Sequence, residues 1–407
     1  MKLADCVDLL AGFPFKSQLF TDNPADVALV KGENVSQGRI LWEISKHWVA
    51  SDWEKMEKFH LVPGDVVVAM DRPWVPAGLK WAFIREDDPK ALLVQRCARL
   101  RSNKGDLDQT FLRFVIGGPE FANYVIPITT GVNVPHISGD QILGFGFPLP
   151  PLPVQLRVAG ILSAYDELME NGRQRIRILE EMARAVYHEW FVRFRYPGHE
   201  KVPLAASPLG DIPRGWEVRS LADVADVNQG QINARNPPDQ LHYIDISSVS
   251  PGQIDSVTTY AFIDAPGRAR RIVENGDVLW SCVRPNRRSH VQVLHPEANT
   301  IASTGFAVLT ATKVPSTFLY LATTTDEFVS YLTNHATGAA YPAVTAATFE
   351  EAKLLIPPPR LLKKFDELTF PMAELVHVLQ RQVHNLRPTQ DLLLPRLLAI
   401  QMKLETS

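Results

Sequence analysis

Cysteine is scarce in this 407-residue chain: Cys6, Cys97 and Cys282 lie far apart, an odd number with no Cys-x-x-Cys. That usage points to a reducing compartment and to thiols that serve as packing groups. No apolar run approaches the length of a membrane-spanning helix, and Asp5 and Asp8 interrupt the only short apolar run near the N-terminus, so no secretory leader is expected. The expectation is a soluble, cytoplasmic protein with no membrane partner. Neither sign of charge dominates, with Lys+Arg 42 against Asp+Glu 45 and a net charge of −3. Nucleic-acid binding would therefore rest on local basic patches. Enzyme signatures are missing as well. There is no G-x-x-x-x-G-K-[ST] and no G-x-S-x-G, and Val192 stands where H-E-x-x-H after His188-Glu189 needs its second histidine. Asn236-Pro237-Pro238-Asp239 approaches the Asn-Pro-Pro-aromatic motif of amino-methyltransferases, whose aromatic residue stacks on a flipped base. Its fourth residue is Asp and no glycine-rich cofactor loop precedes it, so it reads as a proline-rich turn.

Proline is abundant, 31 residues, and clusters at Phe147-Pro148-Leu149-Pro150-Pro151-Leu152-Pro153 and Ile356-Pro357-Pro358-Pro359. Setting Pro150 over Pro357, an offset of 207, brings Glu167-Leu168 onto Glu374-Leu375, Leu179 onto Leu386, Gly131 onto Gly338 and Pro135 onto Pro342. Earlier segments match at larger offsets: Leu3-Ala4-Asp5 over Leu221-Ala222-Asp223 at 218, and Gly64-Asp65-Val66 with Arg72-Pro73 over Gly276-Asp277-Val278 with Arg284-Pro285 at 212. A drift of this kind is what loop-length differences between two copies produce. The chain is a tandem duplication.

Each copy pairs a region of short β-type runs and turns with a long helical segment. Residues 154–194 contain no proline and carry apolar residues at alternating steps of three and four, among them Ile161, Tyr165, Leu168, Leu179 and Val186, with Gly172 in the one gap. The second stripe, including Leu368, Met372, Leu375, Leu386 and Leu393, has the same register at offset 207. So narrow a stripe predicts a paired coiled-coil seam. A helix of that length would be roughly 60 Å long, a spacer of no more than roughly 18 base pairs. Pro371, Pro388 and Pro395 predict a second helix less regular than the first, broken near Arg387-Pro388. The expected fold class is α+β. Two globular α/β domains, 1–148 and 216–355, alternate with a central helix at 149–195, a linker at 196–215 and a C-terminal helix at 356–407.

Several segments together resemble the specificity subunits of type I restriction–modification systems. In the first copy they are Gly131-Val132-Asn133-Val134-Pro135-His136-Ile137-Ser138, Gln155-Leu156-Arg157, Ala164-Tyr165-Asp166-Glu167-Leu168, Trp190-Phe191-Val192-Arg193-Phe194 and Pro197-Gly198-His199-Glu200. In the second they are Val283-Arg284-Pro285-Asn286-Arg287-Arg288-Ser289, Ser303-Thr304-Gly305-Phe306, Gly338-Ala339-Ala340-Tyr341-Pro342 and Asp391-Leu392-Leu393-Leu394-Pro395-Arg396-Leu397. The resemblance covers nearly the whole chain. It implies two target-recognition domains that each read half of a split, asymmetric double-stranded DNA site. The helices would form an antiparallel, pseudo-two-fold pair that fixes the gap and docks two modification (methylase) subunits. Restriction (endonuclease) subunits would join them. No catalytic residue, metal or cofactor is expected on this chain; S-adenosylmethionine, ATP and Mg would belong to partner subunits.

The strongest basic patch is Arg268, Arg270 and Arg271 with Arg284, Arg287 and Arg288 around Asn286. Arginine forks to guanine edges or phosphates and asparagine pairs with adenine, although a solvated charged loop would look the same. In the first copy Arg72 aligns with Arg284 within Asp71-Arg72-Pro73-Trp74-Val75-Pro76-Ala77-Gly78-Leu79-Lys80-Trp81. Being shared, these two arginines are either contacts or structural. Trp74 is a core residue or a stacking one, Lys80 is a further candidate contact, and Lys16, and Gln37 with Arg39, are weaker candidates. His136 is a phosphate contact or a hydrogen-bonded packing group. Two rival readings are a coiled-coil scaffold with two protein-binding domains and a self-contained DNA methyltransferase.

Overall fold

The computed structural model describes residues 1–405 other than 76, 77, 104, 132, 133, 209, 234 and 236, and leaves aside the side chains of 394–396 and 398–405. Pro76 and Ala77 of the first-copy loop, Val132 and Asn133 of the glycine segment and Asn236 of the near-motif thus lie outside the described residues. The chain divides into two units: Met1–Met169 with His384–Ser407, and Glu170–Val383.

In the first unit a four-stranded antiparallel sheet runs in the order Val7–Ala11, Cys97–Ser102, Val66–Ala69, Trp81–Phe83. A second sheet runs His47–Trp48, Val27–Val30, Ala91–Leu93, His60–Leu61, with its central pair parallel. Helices Gln109–Gly117, Pro119–Ile128 and Gly139–Leu143 follow. The other unit repeats the plan. Its sheets run Ala225–Val227, Phe306–Ala311, Val278–Ser281, His290–Gln292 and Thr258–Ala261, Gln240–Ile244, Thr300–Ser303, Ala269–Ile272, again with a parallel central pair. Helices Ser316–Thr323, Asp326–His335 and Ala346–Glu351 complete it. The two four-stranded sheets have the same strand order in both copies.

The shared Gly-Asp step has a local cause. Gly64 and Gly276 both adopt φ of 90°, a left-handed turn that favours glycine. The carboxylates of Asp65 and Asp277 accept backbone N–H groups at Val62 (2.8 Å) and Glu274 (2.7 Å), closing the turn. Both aspartates are buried and keep a second partner, Arg101 in one copy and Thr310 in the other. The strands that follow, Val66–Ala69 and Val278–Ser281, are buried at every residue.

The central helix spans Leu152–Tyr187 and ends in a π-helical turn, His188–Val192. That turn carries Phe191 into the core of the second unit, its ring 4.7 Å from Phe365 and 5.1 Å from Phe318. Within this unit the two long helices run antiparallel. Tyr187 lies beside Phe365, ring centroids 6.2 Å apart, while a Cβ on Gly172 would meet Val383 at 2.7 Å.

Three expectations are corrected. The C-terminal helix, Pro359–Glu405, continues through Pro371, Pro388 and Pro395. Pro371 and Pro388 are exposed, so carbonyls freed of their N–H partners can bond to water. The seam also differs at four positions, since Ile161 (37%), Leu168 (59%), Leu368 (43%) and Leu375 (37%) are exposed. Each has a neighbour one residue on that also satisfies heptad spacing; of these Leu162, Met169 and Thr369 are buried and Val376 is half-buried. Tyr165, Leu179, Val186, Met372, Leu386 and Leu393 are partly buried. Finally, the segment 196–215 is no loose linker. It forms the hairpin Leu204–Ser207 with Gly210–Pro213, and Tyr196 and Ile212 are buried in the core of the second unit.

Candidate nucleic-acid interface

In both copies the strand after the Gly-Asp turn leads into an Arg-Pro step with unusual backbone. Arg72 has φ 45° and Arg284 φ 51°, a left-handed conformation uncommon for a residue bearing a Cβ. Each is held there by its own N–H, which donates to Pro135 O at 2.6 Å or Pro342 O at 2.7 Å. The accepting loops are closed by paired backbone bonds, Thr130 with His136 and Thr337 with Ala343. They begin at Gly131 (φ 96°) and Gly338 (φ 103°), where a Cβ would come within 2.5 Å of Val134 O and 3.0 Å of Tyr341 O. The Gly and the Pro matched at offset 207 and the Arg-Pro matched at 212 thus form one clamp. Strained backbone held by its surroundings concentrates at functional sites.

In the second unit the clamp carries an arginine cluster. The Arg284 guanidinium lies 4.8 Å from the centre of the exposed Tyr341 ring and donates to Ala340 O at 3.2 Å. Asn286 and Arg287 are exposed in the turn Pro285–Arg287, and the Arg287 guanidinium has no partner among the described residues. Arg288, again left-handed, pairs with Asp326. The second arginine segment is brought alongside. Thr304 N–H donates to Arg268 O at 2.8 Å and Cys282 N–H to Gly305 O at 2.9 Å, so both segments border one turn. Arg268 is exposed, 3.7 Å from Asp245 Oδ2; Arg270 donates to Ala269 O at 2.8 Å. Arg271 is half-buried, and its Nε lacks a hydrogen-bond partner among the described residues. Burial pushes the Cys282 thiol up to about 11 despite the positive charge of Arg271.

The matching place in the first unit is built differently. Arg72 is exposed, and Asp71 accepts from His136 Nδ1 at 2.7 Å and pairs with Arg96 at 3.2 Å. His136 is therefore a hydrogen-bonded group at the rim of the clamp. Trp74 is 42% exposed on the hairpin Trp74–Val75 with Gly78–Leu79, which removes the core reading. Lys80 is corrected as a surface cation: its Nζ donates to the Gly32 carbonyl and burial lowers its pKa. Lys16 and Arg39 are exposed, and the Gln37 side-chain amide donates to Gly78 O at 3.4 Å. Sequence reasoning missed Arg96, Tyr341 and Asp245, whose partners lie 25, 57 and 23 positions away at Asp71, Arg284 and Arg268. No local pattern connects them.

Among the described residues no group of three or more His, Cys, Asp or Glu side chains could hold a metal, and no helix is long and apolar enough to cross a membrane.

Fold and clamp define a duplicated α+β domain carried on long helices. Residues 213–363 match the type I restriction modification DNA specificity domain. The chain is 21% identical over 305 residues to the type I restriction enzyme MjaIX specificity subunit of Methanocaldococcus jannaschii, covering 72% of this chain and 69% of that one. It is 29% identical over 187 residues to the EcoAI specificity subunit of Escherichia coli, covering 46% of this chain and 31% of that one. Its fold is similar to the crystal structure of a type I restriction–modification S subunit from M. genitalium, with a TM-score of 0.57 at 14% identity, covering 98% and 95% of the two chains. The chain is thus similar to the specificity subunits of type I restriction–modification systems. These matches support a DNA-sequence-recognition subunit.

Proposed function

We propose that each unit reads one half of a split, asymmetric double-stranded DNA site, with the Arg72 and Arg284 clamps set against the backbone and the surrounding loops against base edges. One observation carries this reading: the clamp is the same in both copies, while the residues around it differ completely. A shared part is suited to phosphate, which is identical in every sequence, and a divergent part to two different sets of bases. Arg268, Arg284, Asn286 and Arg287 would serve one half-site; Arg72, Arg96 and Trp74 would serve the other.

The helices would set the gap and dock two methylase subunits, with restriction subunits added to the complex. The exposed pairs Ile161/Leu368 and Leu168/Leu375, each separated by 207 positions, support that count. Equivalent apolar residues left outside both seams suit two copies of one partner. S-adenosylmethionine, ATP and Mg would act on those partners, in the cytoplasm where the host DNA lies. Mapping N6-methyladenine in a methylation-free host that expresses this chain with its methylase subunit tests the reading. A split motif with a fixed gap is expected; a continuous motif, or no methylation from a soluble complex, would overturn it.

A further inference from the structure

Each clamp carries one apolar residue turned outward at the same place. Val134 and Tyr341 match at offset 207 and stand one residue before the prolines whose carbonyls accept from Arg72 and Arg284. Both are exposed, Val134 by 44% and Tyr341 by 69%. Their backbone is nevertheless fixed. The carbonyl of each occupies space that a Cβ on Gly131 or Gly338 would need, and the paired bonds of Thr130 with His136 and Thr337 with Ala343 close the loop around it. Folding thus holds an apolar side chain in water on a rigid support, where it contributes little burial to the fold itself.

Tyr341 is organised further by its neighbour. The Arg284 guanidinium lies 4.8 Å from the ring centre and donates to Ala340 O at 3.2 Å, so the cation is tied both to the ring and to the loop that bears it. The Tyr341 hydroxyl has no partner among the described residues. A large, flat, amphipathic side chain already restrained in this way loses little entropy on binding a second surface.

We propose that Tyr341 is a specificity-determining residue, set against a base-pair edge beside the phosphate that Arg284 contacts, with Val134 in the equivalent place in the first unit. This inference rests on the two-reader function proposed above. The two clamps share their backbone but differ at this tip. A tyrosine offers a broad ring and a hydroxyl that hydrogen-bonds to a base edge, whereas a valine offers only a small apolar surface. One backbone device would thereby present different chemistry to each half-site.

Gel-shift titrations of the full chain with its methylase subunit test this, using duplexes that carry the mapped motif and every single base-pair change within it. Tyr341→Val places on the second clamp the side chain that the same backbone already bears at Val134, and Tyr341→Leu serves if that variant misfolds. Binding to the parent motif should weaken about tenfold. The preference over wrong base pairs should fall by a similar factor at one or two adjacent positions of the second unit's half-site, with the other half unchanged. A uniform loss on every duplex, which a residue that merely steadies Arg284 would give, overturns the proposal, as does unchanged binding or altered preference in the other half. A wild-type complex that reads no split motif would instead overturn the two-reader function, and this inference with it.

Discussion

Removing Asp166 should destabilise the first unit more than any surface change on the same helix. The carboxylate holds a guanidinium packed between Phe83 and Phe114, and it also receives Gln390 from the C-terminal helix. Burial lowers the Arg113 pKa while Asp166 opposes that shift. In Asp166→Ala the cation keeps the two rings and, among the described residues, Ser163 Oγ at 3.2 Å as its hydrogen-bond partner. Stranding one member of a buried pair costs about 3–5 kcal/mol, and because Asp166 is 24% exposed the low end, about 3 kcal/mol, applies. Replacing both members, Arg113→Met with Asp166→Leu, removes the unmet desolvation and should restore most of the loss. Two units need not unfold in one transition. The assay is therefore urea-dependent hydrogen exchange followed on peptides covering Gln109–Gly117. A loss below about 1 kcal/mol in the single variant, or a double variant as unstable as the single, would refute the reasoning.

Burial lowers His290 to about 4, so the folded state resists protonating it. The unfolded chain binds that proton first, and stability present above pH 6.5 should fall as pH drops toward 4, by about 2 kcal/mol at pH 5. Urea midpoints at pH 7 and 5 should show this in the wild type and much less in His290→Phe. Arg287→Ala should leave folding intact and reduce the slope of log affinity against log salt by about 1 in the complex, for one lost phosphate contact. An unchanged slope in gel-shift titrations would remove Arg287 from the interface. Leu168→Asp with Leu375→Asp should abolish co-purification of the methylase subunit while circular dichroism stays unchanged, because both side chains are exposed.

The duplication was legible because its markers are backbone devices. Gly64 and Gly276 must turn left-handed, Asp65 and Asp277 must cap that turn, and Gly131 and Gly338 must let a carbonyl approach. Such positions keep their residue type while loops between them change length, which is what the drifting offset recorded. The seam was legible only to within one residue. Adjacent apolar pairs such as Ile161-Leu162 and Leu168-Met169 satisfy heptad spacing equally well, and the choice between them is made by packing across the helix pair. The prolines were over-read, since an exposed helix face tolerates a missing hydrogen bond that a buried one does not. At the interface the arginine segments were visible as charge. Their juxtaposition across Thr304–Gly305, the role of Asp71 as a hub for His136 and Arg96, and the inward turn of Lys80 all depend on tertiary contacts.

The central claim is that two independent readers share one chain, and exchanging one of them tests it most directly. Residues 208–355 would be replaced by the corresponding segment of another specificity subunit. Adenine methylation would then be mapped beside the parent in the same host with the same methylase subunit. The account predicts that one half of the motif changes while the other half and the gap are retained. A change in both halves, or in neither, would contradict it.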